Sequence, residues 1–312
     1  MNGVLIVDKP RGPTSHDVVA RVRKTVGLRR IGHTGTLDPL ATGVLPLVLG
    51  RATRLAQFLS ADEKEYVAQV RLGSSSDTYD AMGRLSDHRV HGIPPASAES
   101  VEAVLPEFRG TYWQTPPPFS AKKIAGTPAY QFARRDQAVE LKAVSVTVST
   151  LTLLSYANGV ARLRVVSSAG FYVRTLAHEL GLRLGCGGYL EELRRTRVGA
   201  FSIEDAVPLS TLERAGTDAL RYLLPMNRLL EEYPAVVVNP RGLKRATHGN
   251  ALGPEDLTGP PPFDLLGTAI SGVEGPPAPS VPKTRVVDED GSLLAIAEPV
   301  SGGLLHPVVV LV

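Results

Sequence analysis

Between Ile31 and Leu59 the chain reads IGHTGTLDPLATGVLPLVLGRATRLAQFL, with a single acid, Asp38, in a loop punctuated by Gly32, Gly35 and Gly43. Glycine permits positive φ values and close backbone approach to a ligand, and Pro39 stiffens the turn directly after the acid. A carboxylate held in one pose can serve as a nucleophile or as a general base, provided it stays ionised. After Gly50, Ala52, Leu55, Ala56, Phe58 and Leu59 share one helical face, which places Arg51 and Arg54 on the other, near the loop. The spacing therefore predicts a carboxylate beside cations. Taken alone, an Asp before Pro is more commonly a helix cap or an Asx-turn.

Composition narrows the classes. A chain of 312 residues suffices for one large domain and a small one. Its one cysteine, Cys186, excludes a disulfide framework and a Cys-based metal cluster, as expected in a reducing cytoplasm. No apolar run reaches membrane-spanning length. Net charge is +3, yet residues 1–60 hold nine Lys/Arg against three Asp/Glu, and residues 162–197 hold seven Arg against three Glu. That distribution is the footprint of a polyanion partner, although a solvated charged face gives the same count. A phosphate-cradling nucleotide site is disfavoured, because no Gly-Lys-Ser/Thr follows Gly32-His33-Thr34-Gly35 and no GxGxxG is present.

The elements that must position Asp38 read as follows. Val4 to Val7 form a strand that runs into a stiff turn, Asp8-Lys9-Pro10-Arg11-Gly12-Pro13. A helix capped by Thr14 or Ser15 follows, ending at Gly27. Glu65 to Leu72 alternate as a strand, with Tyr66, Ala68, Val70 and Leu72 on one face. A helix over 97–109 and another over Ala129–Arg135 are expected. Val144–Leu153 and Val160–Ser167 flank Asn158-Gly159, a strong hairpin signal. Leu176, Leu180 and Leu184 form the buried stripe of a helix that leaves Tyr172 and Arg174 at its N-terminal end. Leu193, in EELRRTRVG, reads as a core leucine of a helix, with Arg194, Arg195 and Arg197 available to phosphates. Ser210 to about Leu230 is helical. From Pro234 the chain turns into short β segments, interrupted at 253–282 by eight Pro and five Gly that read as disordered or loosely packed.

GHTGTLDPLATGVLPLVLGRATR resembles the catalytic motif of the TruB family of tRNA pseudouridine synthases, and the match is nearly continuous. GVLIVDKPRGPTSHDVV, the loop SDTYDAMG, TPPPFSAKKIAG and GFYVRTL resemble further motifs of that family. The resemblance implies an α+β fold in which helices flank a mixed, largely antiparallel central sheet. It places the catalytic domain at 1–230, with an RNA-gripping insertion at about 84–140, and a small β-barrel-like, PUA-like RNA-binding domain at 234–312. It also implies that uridine becomes pseudouridine at position 55, in the T loop of tRNA.

Asp38 then matches the catalytic carboxylate, which could attack C6 of the base, attack C1′ of the sugar, or take a proton from C2′. Tyr66 matches a residue stacked on the extruded uracil, Tyr172 one packed beside it, Arg174 the partner of the acid, and Leu193 a wall of the base pocket. His33 matches a residue that supports the displaced RNA loop. Lys9 would contact either a phosphate or the catalytic loop, and Asp80, with Asp77, would shape its turn more than touch RNA. Lys123 falls in the segment that grips the RNA arm. Val144 stands where relatives usually carry Arg, which removes any anion contact made by that Arg. The chemistry requires no metal and no small-molecule cofactor, and tRNA is the expected partner of a soluble, monomeric, cytoplasmic enzyme. The alternative is an RNA-folding protein that uses the same surface without catalysis.

Overall fold

The computed structural model describes residues 1–87, 96–119, 141–259 and 283–312, and the backbone of the short pairs 123–124 and 127–128. The expected helix at Ala129–Arg135, the side chain of Lys123 and residues 88–95 and 129–140 of the 84–140 insertion lie outside the described residues. So does the stretch 260–282.

One large sheet organises the chain up to about residue 225. Its principal strands are β1 (Gly3–Lys9), β2 (Ile31–His33), β3 (Thr42–Leu49), β4 (Lys64–Leu72), β5 (Gly110–Gln114), β6 (Val144–Ala157), β7 (Val160–Ser167) and β8 (Gly188–Val198). The order across the sheet is β1-β3-β8-β4-β7-β6-β5, with β2 beside β3. All these neighbours are antiparallel except β3 and β8, which run parallel with Arg195 opposite Gly43. β8 thus lies between β3 and β4 and joins the strand that follows Asp38 to the strand that carries Tyr66.

Several elements match their sequence signals. Thr14 caps α1 (Ser15–Val26) in a reciprocal capping box with Asp17, and Gly27 ends it in the left-handed region. Asn158 and Gly159, both at positive φ, turn β6 into β7. On β4, Tyr66, Ala68, Val70 and Leu72 are buried while the residues between them are half-buried. They share a core with α1 and with α2 (Val173–Arg183), whose Leu176 and Leu180 are fully buried.

Other expectations are corrected. EELRR belongs to strand β8 and not to a helix. Register shifts at Leu190/Glu192 and Arg195/Arg197 break the alternation, and an arginine occupies an inward position, so no period-2 signal survives. The helix expected after Gly50 is a 3-10 turn over Gly50–Leu55 followed by a short α segment, Ala56–Leu59. The 210–230 segment is broken into a helix at Leu209–Ala215 and 3-10 turns at Gly216–Tyr222 and Met226–Arg228. Gly216, at φ +58°, ends the helix and interrupts the segment.

Residues 235–310 supply a second, four-stranded sheet, in the order Ala235–Val237, Thr284–Val287, Leu293–Val300, Leu304–Val310. Isolated bridges at Val238–Leu257 and Leu252–Leu305 extend its pairing. One face joins the large sheet through a shared cluster that holds Val287, Leu293 and Ile296 with Val4, Val44 and Phe58. Residues 253–259, expected to be loose, are packed. Asp256 is wholly buried and paired with Arg241 and Arg245, and Leu257 is buried beside it. The carboxylate and two guanidiniums anchor a Pro/Gly stretch that composition alone marks as disordered.

Candidate active site

Asp38 sits on the loop between β2 and β3, and backbone atoms on both sides of it are held by hydrogen bonds. Ser15, at the start of α1, accepts from Leu37 N–H (2.8 Å) and donates to Leu37 C=O (3.1 Å). Gly12 N–H donates to Pro39 C=O (2.8 Å), and Ala41 N–H to Asp38 C=O (3.0 Å). The fully buried Lys9 ammonium donates to the carbonyls of Ala41 (2.6 Å) and Pro10 (2.9 Å). Of the two contacts open to Lys9 from sequence, the geometry provides the one with the loop. Burial lowers the Lys9 pKa to about 8, against an upward pull from Asp38.

Arg174, in the first turn of α2, faces this loop. Its Nε lies 2.9 Å from Asp38 Oδ2, and its Nη1 lies 3.6 Å from Asp80 Oδ2. The rest of the guanidinium donates to Thr78 C=O (3.3 Å) and Phe119 C=O (2.9 Å). Asp80 is itself buried and accepts from Thr78 Oγ1 and Met82 N–H through its other oxygen. It therefore shapes its turn, as its loop position suggests, and also completes an Asp-Arg-Asp group. The start of α2 is locked to β5, where the buried Gln114 accepts from Tyr172 N–H (2.8 Å) and donates to Tyr172 C=O (3.2 Å).

A pocket of about 400 Å³ opens over Asp38, walled by Tyr66, Tyr172, Leu193 and Arg174. The carboxylate is ringed by protein yet 40% exposed to this cavity. Burial is the largest influence on its pKa and raises it. Asp80 pushes in the same direction, while Arg174 and Lys9 pull it down. His33 lies on β2 just before the loop. Its Nδ1 accepts from Gly35 N–H (3.3 Å), its ring meets His16 edge-on at 5.4 Å, and burial lowers its pKa.

The structure thus brings Asp38, Tyr66, Tyr172, Arg174 and Leu193 to one cavity and sets Lys9, His33 and Asp80 around it. Arg51 and Arg54 are not part of it. They donate to the carbonyls of Leu311 and Val310 at the C-terminal strand, so the cation beside Asp38 is Arg174. Arg195 is not available to phosphates either, being 1% exposed with its guanidinium turned into the loop. Arg194 is paired with Asp8 at 2.9 Å. A second, larger concavity of about 700 Å³ carries the cations Arg11, Arg162 and Arg194 along β8, β4 and β7. No group of His, Cys, Asp and Glu that could hold a metal ion occurs among the described residues. No helix among them is long and apolar enough to cross a membrane.

Comparison with known proteins places this arrangement. Residues 23–173 match the family described as TruB family pseudouridylate synthase (N terminal domain), and residues 174–231 match the tRNA pseudouridylate synthase B C-terminal domain. The second match covers α2, β8 and the segment after them, and ends before the four-stranded sheet. Proteins called tRNA pseudouridine synthase B are similar over most of their length. That of Solibacter usitatus is 42% identical over all of both chains, and that of Aquifex aeolicus 43% identical over 77% of this chain and 83% of its own. Among solved structures, an archaeal box H/ACA sRNP Nop10-Cbf5 complex superposes with a TM-score of 0.70 at 25% identity. It covers 99% of this chain and 86% of that one. An H/ACA RNP bound to a substrate RNA containing 2′-deoxyuridine gives the same TM-score at 24% identity, over 99% and 85%, and speaks for the fold. With end-to-end identity of 42% to one relative and family matches from residue 23 to 231, the chain belongs to the TruB family of pseudouridylate synthases.

Proposed function

We propose that this protein converts uridine to pseudouridine in the T loop of tRNA, at position 55, with Asp38 as the reacting carboxylate. The observation that carries the reading is the pairing of Asp38 with Arg174 at the floor of a cavity walled by Tyr66, Tyr172 and Leu193. The reaction breaks the N1–C1′ bond, turns the uracil and forms a C5–C1′ bond. The C5 hydrogen leaves as a proton and N1 regains one, so no redox partner or hydrolytic water enters the balance. Attack at C6, attack at C1′ and removal of the C2′ proton all require an ionised carboxylate with one open face, and Asp38 has that face.

The base can reach the cavity only by leaving its stack. Tyr66 offers it an aromatic platform and Leu193 an apolar wall, while His33 stands at the entry of the loop beside His16. All these groups come from one chain, and we read the protein as a monomer that acts in the cytoplasm on the T stem-loop. The test is tritium release from C5-labelled uridine in an unmodified tRNA and in the isolated T-arm hairpin. Product should map to position 55 in both, and Asp38→Asn should abolish release while leaving RNA affinity within a few-fold. Turnover by that variant, or failure of every hairpin beside active full-length tRNA, would overturn the corresponding part of the reading.

A further inference from the structure

Arg195 is among the largest fully buried side chains of the protein, and no carboxylate pairs with it among the described residues. A guanidinium withdrawn from water is tolerated only where aligned acceptors replace the solvent. Here the acceptors are backbone carbonyls of the loop that carries Asp38. Arg195 Nη2 donates to Gly35 C=O at 3.1 Å, Nη1 to Thr36 C=O at 3.4 Å and Nε to Val44 C=O at 2.8 Å. Gly35 and Thr36 precede Asp38 and Val44 follows it, so one planar fork holds the loop at both of its ends. Arg195 and Tyr66 also line the same pocket over Asp38.

The glycines fit the same contact. Gly43, at φ +100°, lies opposite Arg195 in the sheet, and a Cβ there would stand 2.1 Å from the Arg195 carbonyl oxygen. A Cβ on Gly35 would stand 3.5 Å from Arg195 Nη1. Gly43 is thus explained by the close approach of the Arg195 backbone as well as by room for a ligand, and Gly35, at φ +145°, by its own backbone conformation.

We propose that Arg195 is a positioning residue for catalysis, fixing the two ends of the Asp38 loop in one frame beside the pocket. This rests on the reading of Asp38 as the reacting carboxylate. A buried arginine that merely filled the core would affect folding without setting the rate of the folded enzyme. A clamp does the reverse, because small displacements of a reacting group cost far more in rate than in affinity.

The test compares Arg195→Lys, which keeps the charge but cannot span three acceptors in a plane, with Arg195→Met, which keeps bulk and no donor. Each is assayed on unmodified tRNA in single turnover at saturating enzyme, with RNA affinity and the folded fraction measured alongside. We expect the rate per folded molecule to fall at least about 30-fold for Lys and further for Met, with Kd within about threefold of wild type. A rate within threefold of wild type for either variant, or equal losses in rate and affinity, overturns the proposal. Should neither variant fold, nitrogen NMR of the wild-type guanidinium decides. Separate, slowly exchanging Nη1 and Nη2 signals support the clamp, and averaged, fast-exchanging signals refute it. Asp38→Asn separates the two levels. If it is inactive while Arg195→Met is active, only the present proposal falls, whereas an active Asp38→Asn removes the reading beneath it.

Discussion

Arg174 and Asp38 meet at 2.9 Å, but the pair is lopsided, with the guanidinium 6% exposed and the carboxylate 40%. The arginine is fixed from behind by Thr78 C=O, Phe119 C=O and the second acid, Asp80. The acid thereby gains a counter-charge and keeps a bare face toward the pocket. Lysine at 174 would retain the charge but lose the planar fork that reaches all four partners. Arg174→Lys is therefore expected to slow single-turnover pseudouridine formation by roughly 100-fold or more, on the scale of a misplaced reacting group. Its RNA affinity should stay within a few-fold, and a near-wild-type rate would show that the cation does not position the acid.

The acid limb of activity should lie high for a carboxylate. Burial and the charge of Asp80 raise the Asp38 pKa, with Arg174 and Lys9 opposing them, so protonation silences the enzyme above the usual value of about 3.9. Asp80→Asn removes one upward push and should move the limb of the rate profile to lower pH. The linkage has a definite sign: a folded pKa above the unfolded one means that stability is present below the unfolded value and is lost as pH rises through the folded value. Asp38→Asn should therefore gain melting temperature relative to wild type at neutral pH, and the gain should vanish at acid pH. A melting difference independent of pH would show that Asp38 is not held at a raised pKa.

Much of this site is legible in the sequence because its determinants are local. A Gly-rich loop with one acid, the Thr14 cap, the alternation around Tyr66 and the Asn158-Gly159 turn each lie within a few residues of what they control. Arg195 and Gln114 were missed for the opposite reason. Their partners are 151 to 160 residues away for Arg195 and 58 away for Gln114, and a charged or amide side chain in a polar stretch carries no sign of burial. Arg51 and Arg54 misled because sequence proximity to Asp38 does not set direction. The turn after β3 is 3-10, and both side chains reach the C-terminal strand.

The same distinction governs salt dependence. Basic counts in residues 1–60 and 162–197 overstate the phosphate-binding surface, because Lys9, Arg23, Arg51, Arg54 and Arg195 all donate to backbone carbonyls. The side chains of Arg11 and Arg162 are exposed, have no hydrogen bond or ion pair among the described residues, and line the larger concavity. Arg162→Ala should weaken tRNA binding and reduce the slope of log K against log salt by about 0.7–0.9, the loss of one phosphate contact. Arg195→Lys should leave that slope unchanged. An unaltered slope for Arg162→Ala would remove the concavity from the RNA-binding surface.

Tyr66 offers the sharpest separation of packing from chemistry, because the structure gives it both surroundings. It is 8% exposed, sits in the core formed with Ala68 and Val70, and also walls the Asp38 pocket. Phenylalanine at 66 keeps the ring and deletes only the hydroxyl, so stacking on an extruded uracil should persist and RNA affinity should change little. The rate loss of Tyr66→Phe then measures the hydroxyl alone. Leucine keeps apolar bulk but removes the π-face, which contributes roughly 1–3 kcal/mol per stacked base. Tyr66→Leu should therefore slow turnover of the folded enzyme by orders of magnitude while lowering the melting temperature by only a few degrees. If stability and activity fall in proportion, with no residual defect in the folded fraction, the ring is core and the uracil stacks elsewhere.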